Sequence, residues 1–334
     1  MSQNRPFLIQ GGMGISVSNL ILARAVSLEG ELGVVSGTAM NTVLIRRLQD
    51  GDVGGHCRRA LEAFPFPEIS KNILEKYFLS EGRGGKPYKR SPLFSHIYGP
   101  EIVHITVAAN FVEVYLAKEG HSGLVGINLL EKILLPNPPS LYGAMLAGVD
   151  YVLMGAGIPR EIPGTLDQLA LHQEATLKIP VEGATAEDNF RLRFNPAEFF
   201  NIENLKPLKR PDFLAIVSSA TLALNLAKKS NGVVNGFIIE HWTAGGHNAP
   251  PRGTLQLDKE GQPIYGGRDE VDFGKFCEIG LPFWLAGSCG TAERMSAALK
   301  LGAQGIQVGT AFAFSDESGL SSSFKNYVRQ KLFA

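Results

Sequence analysis

Residues 282–310 read PFWLAGSCGTAERMSAALKLGAQGIQVGT, and this stretch contains one complete strand–helix–strand unit. Pro282–Ala286 and Gly305–Val308 are short apolar runs of strand length. Between them, Thr291–Leu301 has a helical pattern, with Thr291 as its predicted N-cap. This order of elements is typical of a parallel β/α repeat.

The same alternation continues toward the N-terminus. Six further apolar runs predict strands, at Phe7–Gln10, Leu32–Ser36, Leu124–Asn128, Tyr151–Met154, Phe213–Ser218 and Phe237–Glu240. Helices are predicted at Asn19–Glu29, from Thr42 to Gln49, at Phe111–Glu119 and at Ser323–Leu332. Eight strands in this alternation favour an α/β fold of the (β/α)8 TIM-barrel type over an open doubly wound sheet.

A barrel of this kind needs about 250 residues, and this chain has 334. We therefore predict a single barrel domain over residues 1–334, with insertions at about 63–105 and 174–211. The first insertion is rich in proline and glycine and shows no clean period. The second has two candidate strands, Thr176–Val181 and Arg191–Phe194, that suit a hairpin. Both insertions are expected to be able to cover the active face of the barrel.

Composition excludes several classes of function. The chain has 32 basic and 32 acidic residues, so no surface for nucleic acid is indicated. Its three cysteines show no CxxC spacing, which argues against a disulfide framework and a zinc knuckle. No signal-peptide pattern and no apolar run of about 18 residues occurs, so we expect a cytoplasmic protein without a membrane partner.

Glycines and small polar residues follow the predicted strands, at the ends that form the active face of a parallel barrel. They are Gly11, Gly12 and Met13 after strand one, Asn128 at strand three, Gly245 and Gly246 after strand six, Gly287 and Ser288 after strand seven, and Gln307, Val308, Gly309 and Thr310 at strand eight. The last two loops contain no lysine, so backbone N–H groups are expected to bind a phosphate there. Met13 is expected to pack against the ring of the cofactor.

His247 is the candidate catalytic residue, because it follows two glycines just beyond strand six, and a neutral imidazole can move a proton near pH 7. His241, at the end of that strand, is interpreted as a packing or hydrogen-bonded residue. With Glu240 the two histidines match no metal-binding spacing, so no metal is predicted. Cys289 is interpreted as a buried small residue, with a nucleophilic role as the alternative.

Taken together, four segments resemble the nitronate monooxygenase family (formerly 2-nitropropane dioxygenases), to which FMN-dependent enoyl-ACP reductases are related. The matching segments are Ile9-Gln-Gly-Gly-Met13, Gly126-Ile-Asn-Leu129, Ala244-Gly-Gly-His247, and Ala297–Ala303 running into Gly305–Thr310. The resemblance covers the first 40 residues and most of 120–320.

The resemblance implies FMN as cofactor and an oxidoreductase activity. Asn128, Gly245, Ser288 and the run from Gln307 to Thr310 match FMN contacts of the family, and His247 matches its active-site histidine. The implied reaction is the oxidation of an alkyl nitronate, or a similar small anion, with O2. Glu240, at the end of strand six, is also expected to bind the cofactor, and it stands where the family commonly has glutamine. Thr243 stands where the family has an acidic residue, and Ser288 where it has glycine.

Three alternatives stay open. The first is an NAD(P)H-dependent FMN reductase acting on an enoyl thioester. The second is a non-catalytic flavin-binding or phosphate-ligand-binding protein. The third is a barrel dehydrogenase that uses Cys289 and resembles the IMP dehydrogenases.

Overall fold

The computed structural model describes residues 5–185, 187–245 and 249–332, and its centre is a barrel of eight parallel strands. In chain order the ten strands of the described ranges are β1 Leu8–Gln10, β2 Gly33–Ser36, β3 Val125–Leu130, β4 Tyr151–Gly155, β5 Ala175–Lys178, β6 Arg191–Phe194, β7 Asp212–Val217, β8 Gly236–Glu240, β9 Phe283–Ala286 and β10 Gly305–Val308. The sheet order is β1-β10-β9-β8-β7-β4-β3-β2. A parallel bridge between Ile9 and Leu32 brings the two edge strands together. The predicted (β/α)8 barrel is confirmed.

Helices surround this sheet. In the described ranges they are α1 Leu20–Leu28, α2 Met40–Gln49, α3 His56–Glu62, α4 Pro67–Tyr77, α5 Pro100–Lys118, α6 Asn137–Leu146, α7 Ile162–Ala170, α8 Ala220–Lys229, α9 Phe273–Ile279, α10 Ala292–Lys300, α11 Thr310–Ala313 and α12 Ser322–Leu332. The predicted cap of α10 is confirmed, because the Thr291 side chain accepts a hydrogen bond from the Arg294 N–H. Within these ranges no helix has the length and apolarity needed to cross a membrane.

Side chains alternate between the two faces of each strand, so the apolar core has an inner part, inside the barrel, and an outer part, between the strands and the helices. The side chains that fill the barrel interior are Ile9, Leu32, Val34, Tyr151, Leu153, Leu214, Ile238, Trp284 and Ala286. A larger apolar layer lies between the strands and the helices, and Phe237, Ile239 and Leu285 belong to it. Strands buried on both faces give continuous apolar runs in the sequence, which is why these strands could be recognised there.

The segment at 63–105 is more regular than its composition indicated. It contains α4 and the first residues of α5. Pro67 occupies the first turn of α4, where its missing N–H costs nothing. Ile69, Ile73 and Tyr77 recur every four residues and are buried. The expectation of no clean period was therefore wrong for this part of the segment.

The hairpin expected within 174–211 is present. β5 and β6 pair antiparallel, with Ala175 opposite Phe194. Glu161, just before α7, accepts hydrogen bonds from the Lys178 N–H at 2.7 Å and from the Arg191 guanidinium at 2.8 Å. The Phe194 ring packs edge-on against Tyr142 of α6. The two strands thus lie in the helical layer of the barrel.

Candidate active site

Three polar side chains share the carboxyl end of the barrel interior. Glu240 lies two residues after the interior Ile238, and Asn128 and Gln307 are paired in register with the interior residues Leu153 and Ile9. Because side chains alternate along a strand, all three face the inside of the barrel. The sequence predicted these three as cofactor-binding residues, and the fold brings them to one rim.

Two of these side chains carry buried oxygen atoms without a partner. Asn128 is 1% exposed, and its Nδ2 donates to the Gly11 carbonyl at 2.7 Å, which fixes the amide. Its Oδ1, like the Oε1 of Gln307, is buried and has no hydrogen-bond partner in the described part of the chain. An unpaired buried acceptor costs about 1–3 kcal/mol. Both atoms therefore suit a ligand that donates hydrogen bonds to them at the carboxyl end of the barrel. This end, which Asn128, Glu240 and Gln307 line, is called the mouth of the barrel.

The loop after β1 forms one side of this mouth. The Gly11 N–H donates to the Val308 carbonyl at 2.9 Å, so Val308 contributes its backbone while its side chain packs in the outer layer. Gly12 has φ +71°, and a Cβ there would lie 2.3 Å from Val34 Cγ1. Met13 is 37% exposed, which leaves its thioether available for contact with a ligand.

The residue that supports this loop, Gln10, was not among the sequence predictions. It is 1% exposed, its Oε1 accepts from the Val34 N–H at 2.8 Å, and its Nε2 donates to Ser18 Oγ at 3.0 Å. Ser18 Oγ in turn donates to the Met13 carbonyl at 2.8 Å. A glutamine inside an apolar strand, directly before two glycines, was the available signal.

The loops after β8, β9 and β10 contact one another. Ser288, with φ +50°, donates from its Oγ to the Thr243 carbonyl at 3.1 Å. A Cβ on Gly245 would lie 2.7 Å from Thr310 Oγ1. Gly287 has φ +102° and leaves no space for a side chain beside His241. The loops predicted to bind phosphate therefore adjoin the loop that leads to the candidate histidine.

The candidate histidine itself, His247, and Gly246 lie outside the described residues. His241 lies within them, with its Nδ1 2.8 Å from Thr243 Oγ1 and its ring 5.0 Å from that of Trp242. The interpretation of His241 as a packing or hydrogen-bonded residue is confirmed. Cys289 is half-buried, and its thiol donates to the Gly287 carbonyl.

Glu240 has an unusual environment for a carboxyl group. Within the described ranges it has no hydrogen bond or ion pair, and burial raises the pKa of Glu240 to about 7 from its ordinary value of 4.5. Desolvation disfavours the charged form when no cation compensates. Below about pH 7 this side chain is therefore mostly protonated, and in that form it can donate a hydrogen bond as the amide of glutamine would.

This protonation predicts how the stability of the protein depends on pH. The unfolded carboxyl ionises near its ordinary pKa while the folded one keeps its proton, so between about pH 4.5 and 7 rising pH weakens the folded state. We expect the Tm of Glu240→Gln to rise relative to wild type across this window and to keep a constant difference above it. Differential scanning fluorimetry at a series of pH values measures this. The exposed Glu75→Gln on α4 is the control, and an equal, pH-independent difference for both variants would contradict the prediction.

Comparison with known proteins agrees with the resemblance seen in the sequence. Residues 200–334 match the family model described as nitronate monooxygenase. This confirms the resemblance for that part of the chain. No curated protein matches the chain.

Two solved structures match most of this chain. FabK from Thermotoga maritima has 16% identity and a TM-score of 0.50, over 97% of this chain and 64% of that one. Nitroalkane oxidase from Streptomyces ansochromogenes has 15% identity and a TM-score of 0.48, over 97% of this chain and 70% of that one. The first likeness supports the barrel fold.

Proposed function

We propose that this nitronate monooxygenase-like protein binds FMN and oxidises an alkyl nitronate, or a similar small anion, with O2 to give a carbonyl compound and nitrite. The observation that carries the proposal is the pair of unpartnered buried oxygens, Asn128 Oδ1 and Gln307 Oε1, at the carboxyl rim of the barrel. The family match over residues 200–334 supports the same class of chemistry.

The residues present fit FMN. A flavin offers a ring N–H and several ribityl hydroxyls, which are the donors that two buried acceptors require. Gly11, Gly12 and Met13 would lie along the ring. The backbone amides of the Gly287–Ser288 and Gly309–Thr310 loops would hold the phosphate, since these loops contain no lysine. When bound, FMN supplies the ability to accept two electrons from carbon and pass them to O2.

Two side chains of the protein, Glu240 and His247, would act on the substrate and on protons. Below about pH 7, Glu240 is mostly protonated and repels an anionic substrate less than an ionised carboxylate would. His247 is assigned to orient that anion and to hold or move a proton at its imidazole. The partners of the protein are then small molecules, and a cytoplasmic location gives them free access.

The experiment begins with the visible spectrum of the purified protein and the mass of the released cofactor. The yellow protein is then mixed anaerobically with propionate 3-nitronate. We expect bleaching of the flavin, and return of the yellow colour together with nitrite when air is admitted. Bleaching by NADH or NADPH but not by nitronate would replace this reaction with reduction of an enoyl thioester. Protein that holds FMN and is bleached by none of them would be a flavin-binding protein.

A further inference from the structure

Lys325 is a buried lysine on a helix whose other side chains are mostly exposed. It lies on α12 and is 4% exposed. Its Nζ donates to the carbonyl oxygens of Ser315, Asp316 and Ser318 at 2.8, 3.1 and 3.2 Å, and lies 3.5 Å from Ser318 Oγ. These partners are oxygen atoms of neutral groups. A buried ammonium is costly unless hydrogen bonds replace its water, and here a single turn of the chain provides them.

The turn that receives this ammonium also contacts the first loop of the barrel. The Gly319 N–H donates to the Val17 carbonyl at 2.9 Å. The approach is so close that a Cβ on Gly319 would lie 1.7 Å from the Ser16 carbonyl oxygen. Ser16 itself has φ +58°, which few residues other than glycine adopt without support.

The contact continues to the mouth of the barrel. Ser18, next to Val17, donates to the Met13 carbonyl and accepts from Gln10 Nε2. Its own carbonyl accepts from the Ser36 N–H at 2.9 Å, at the carboxyl end of β2. Hydrogen bonds joined by short stretches of backbone thus connect the Lys325 ammonium, through residues 315–319 and 16–18, to the loop that bears Met13.

We propose that Lys325 is a positioning residue for the cofactor site. Its ammonium holds the 315–319 turn in the shape that keeps residues 13–18 against the barrel, and so orders the side of the mouth formed by Gly11–Met13. The effect on cofactor binding rests on the proposed function, whereas the effect on residues 13–18 does not. Without the ammonium, three carbonyls and a hydroxyl converge with no donor between them.

The arrangement also predicts chemical rescue. An ammonium whose hydrogen-bond partners are all oxygen atoms of neutral groups lies in surroundings that free NH4+ can also occupy. Lys325→Ala removes the side chain and leaves room for that ion, whereas Lys325→Met keeps most of the apolar stem and fills the space. Added NH4+ is therefore expected to restore Lys325→Ala and to leave Lys325→Met unchanged.

The test uses the full chain and two measurements. The first is the Kd of FMN from quenching of flavin fluorescence, which is expected to rise at least about tenfold in both variants and to recover with NH4+ only in Lys325→Ala. The second is amide hydrogen exchange of peptides covering residues 13–18 and 315–319, which is expected to be faster in both variants. Lys331→Ala, an exposed lysine on the same helix, is the control and should match wild type in both measurements.

Two results would overturn the positioning role. One is unchanged hydrogen exchange at residues 13–18 in Lys325→Met, the variant that keeps the packing of the stem. The other is an FMN Kd within twofold of wild type in both variants. Failure of wild type to bind FMN would instead remove the proposed cofactor. The exchange measurement would then still decide the role of Lys325.

Discussion

Replacing His247 by alanine is expected to lower turnover of an alkyl nitronate by at least about 100-fold, since a positioned acid–base group contributes roughly 10²–10⁴. FMN is expected to stay bound, because most of the assigned cofactor contacts come from the carboxyl ends of β1, β3, β9 and β10. The measurement is oxygen consumption in saturating nitronate, together with the flavin content of the purified variant.

Two further variants make this result specific. His247→Gln keeps a hydrogen-bond donor but cannot change protonation near pH 7, so it separates orientation of the anion from proton transfer. His96→Ala removes an exposed histidine of the segment before α5 and controls for the loss of an imidazole as such. Wild-type turnover in His247→Ala would show that the residue has no catalytic part and would favour the non-catalytic alternative.

Gly12→Ala is expected to weaken FMN binding at least tenfold with only a moderate loss of overall stability. The new Cβ would lie 2.3 Å from Val34 Cγ1 and 2.9 Å from Asn128 Cβ. The loop must therefore move away from β2 and β3, taking Met13 with it and displacing the Asn128 amide. Overpacking of this kind costs about 1–3 kcal/mol, and we expect the Kd of FMN to rise at least tenfold.

A matched control separates the collision from backbone strain. Gly148 has φ +74°, close to the +71° of Gly12, but a Cβ added to Gly148 would have no atom within 4 Å. Gly148→Ala should then lower the free energy of unfolding by only about 1 kcal/mol, the cost of an unfavourable φ. It should bind FMN as wild type does. Equal FMN affinity in the two variants would contradict the assignment of Gly12 to the mouth of the barrel.

Local sequence information sufficed for the barrel because each strand is buried on both faces. Runs such as Phe237–Glu240 and Pro282–Ala286 have no competing helical period, and glycines follow them where loops begin. Helix α4 was missed because Pro67 and the nearby prolines and glycines concealed the recurrence of Ile69, Ile73 and Tyr77. Proline at the start of a helix is permitted, so its presence alone did not exclude one.

Some features of the candidate site could likewise be predicted from the sequence, and others could not. Asn128, Glu240 and Gln307 could be predicted because strand ends converge at one face of a parallel barrel, which is a property of the fold. The raised pKa of Glu240 depends on desolvation by residues distant in the chain, and no local pattern encodes it. The contact of Lys325 with the 315–319 turn also depends on the folded structure and is not visible in the local sequence. The role of His247 stays a prediction.

The pairing of β1 with β10 places the two ends of the barrel sequence side by side. During translation the first strand leaves the ribosome long before its neighbour is synthesised. A nascent chain therefore carries an unpaired strand edge for most of its elongation, and it has no mouth in which to capture a flavin. Cofactor uptake is therefore expected to follow completion of the barrel, when β1 has paired with β10.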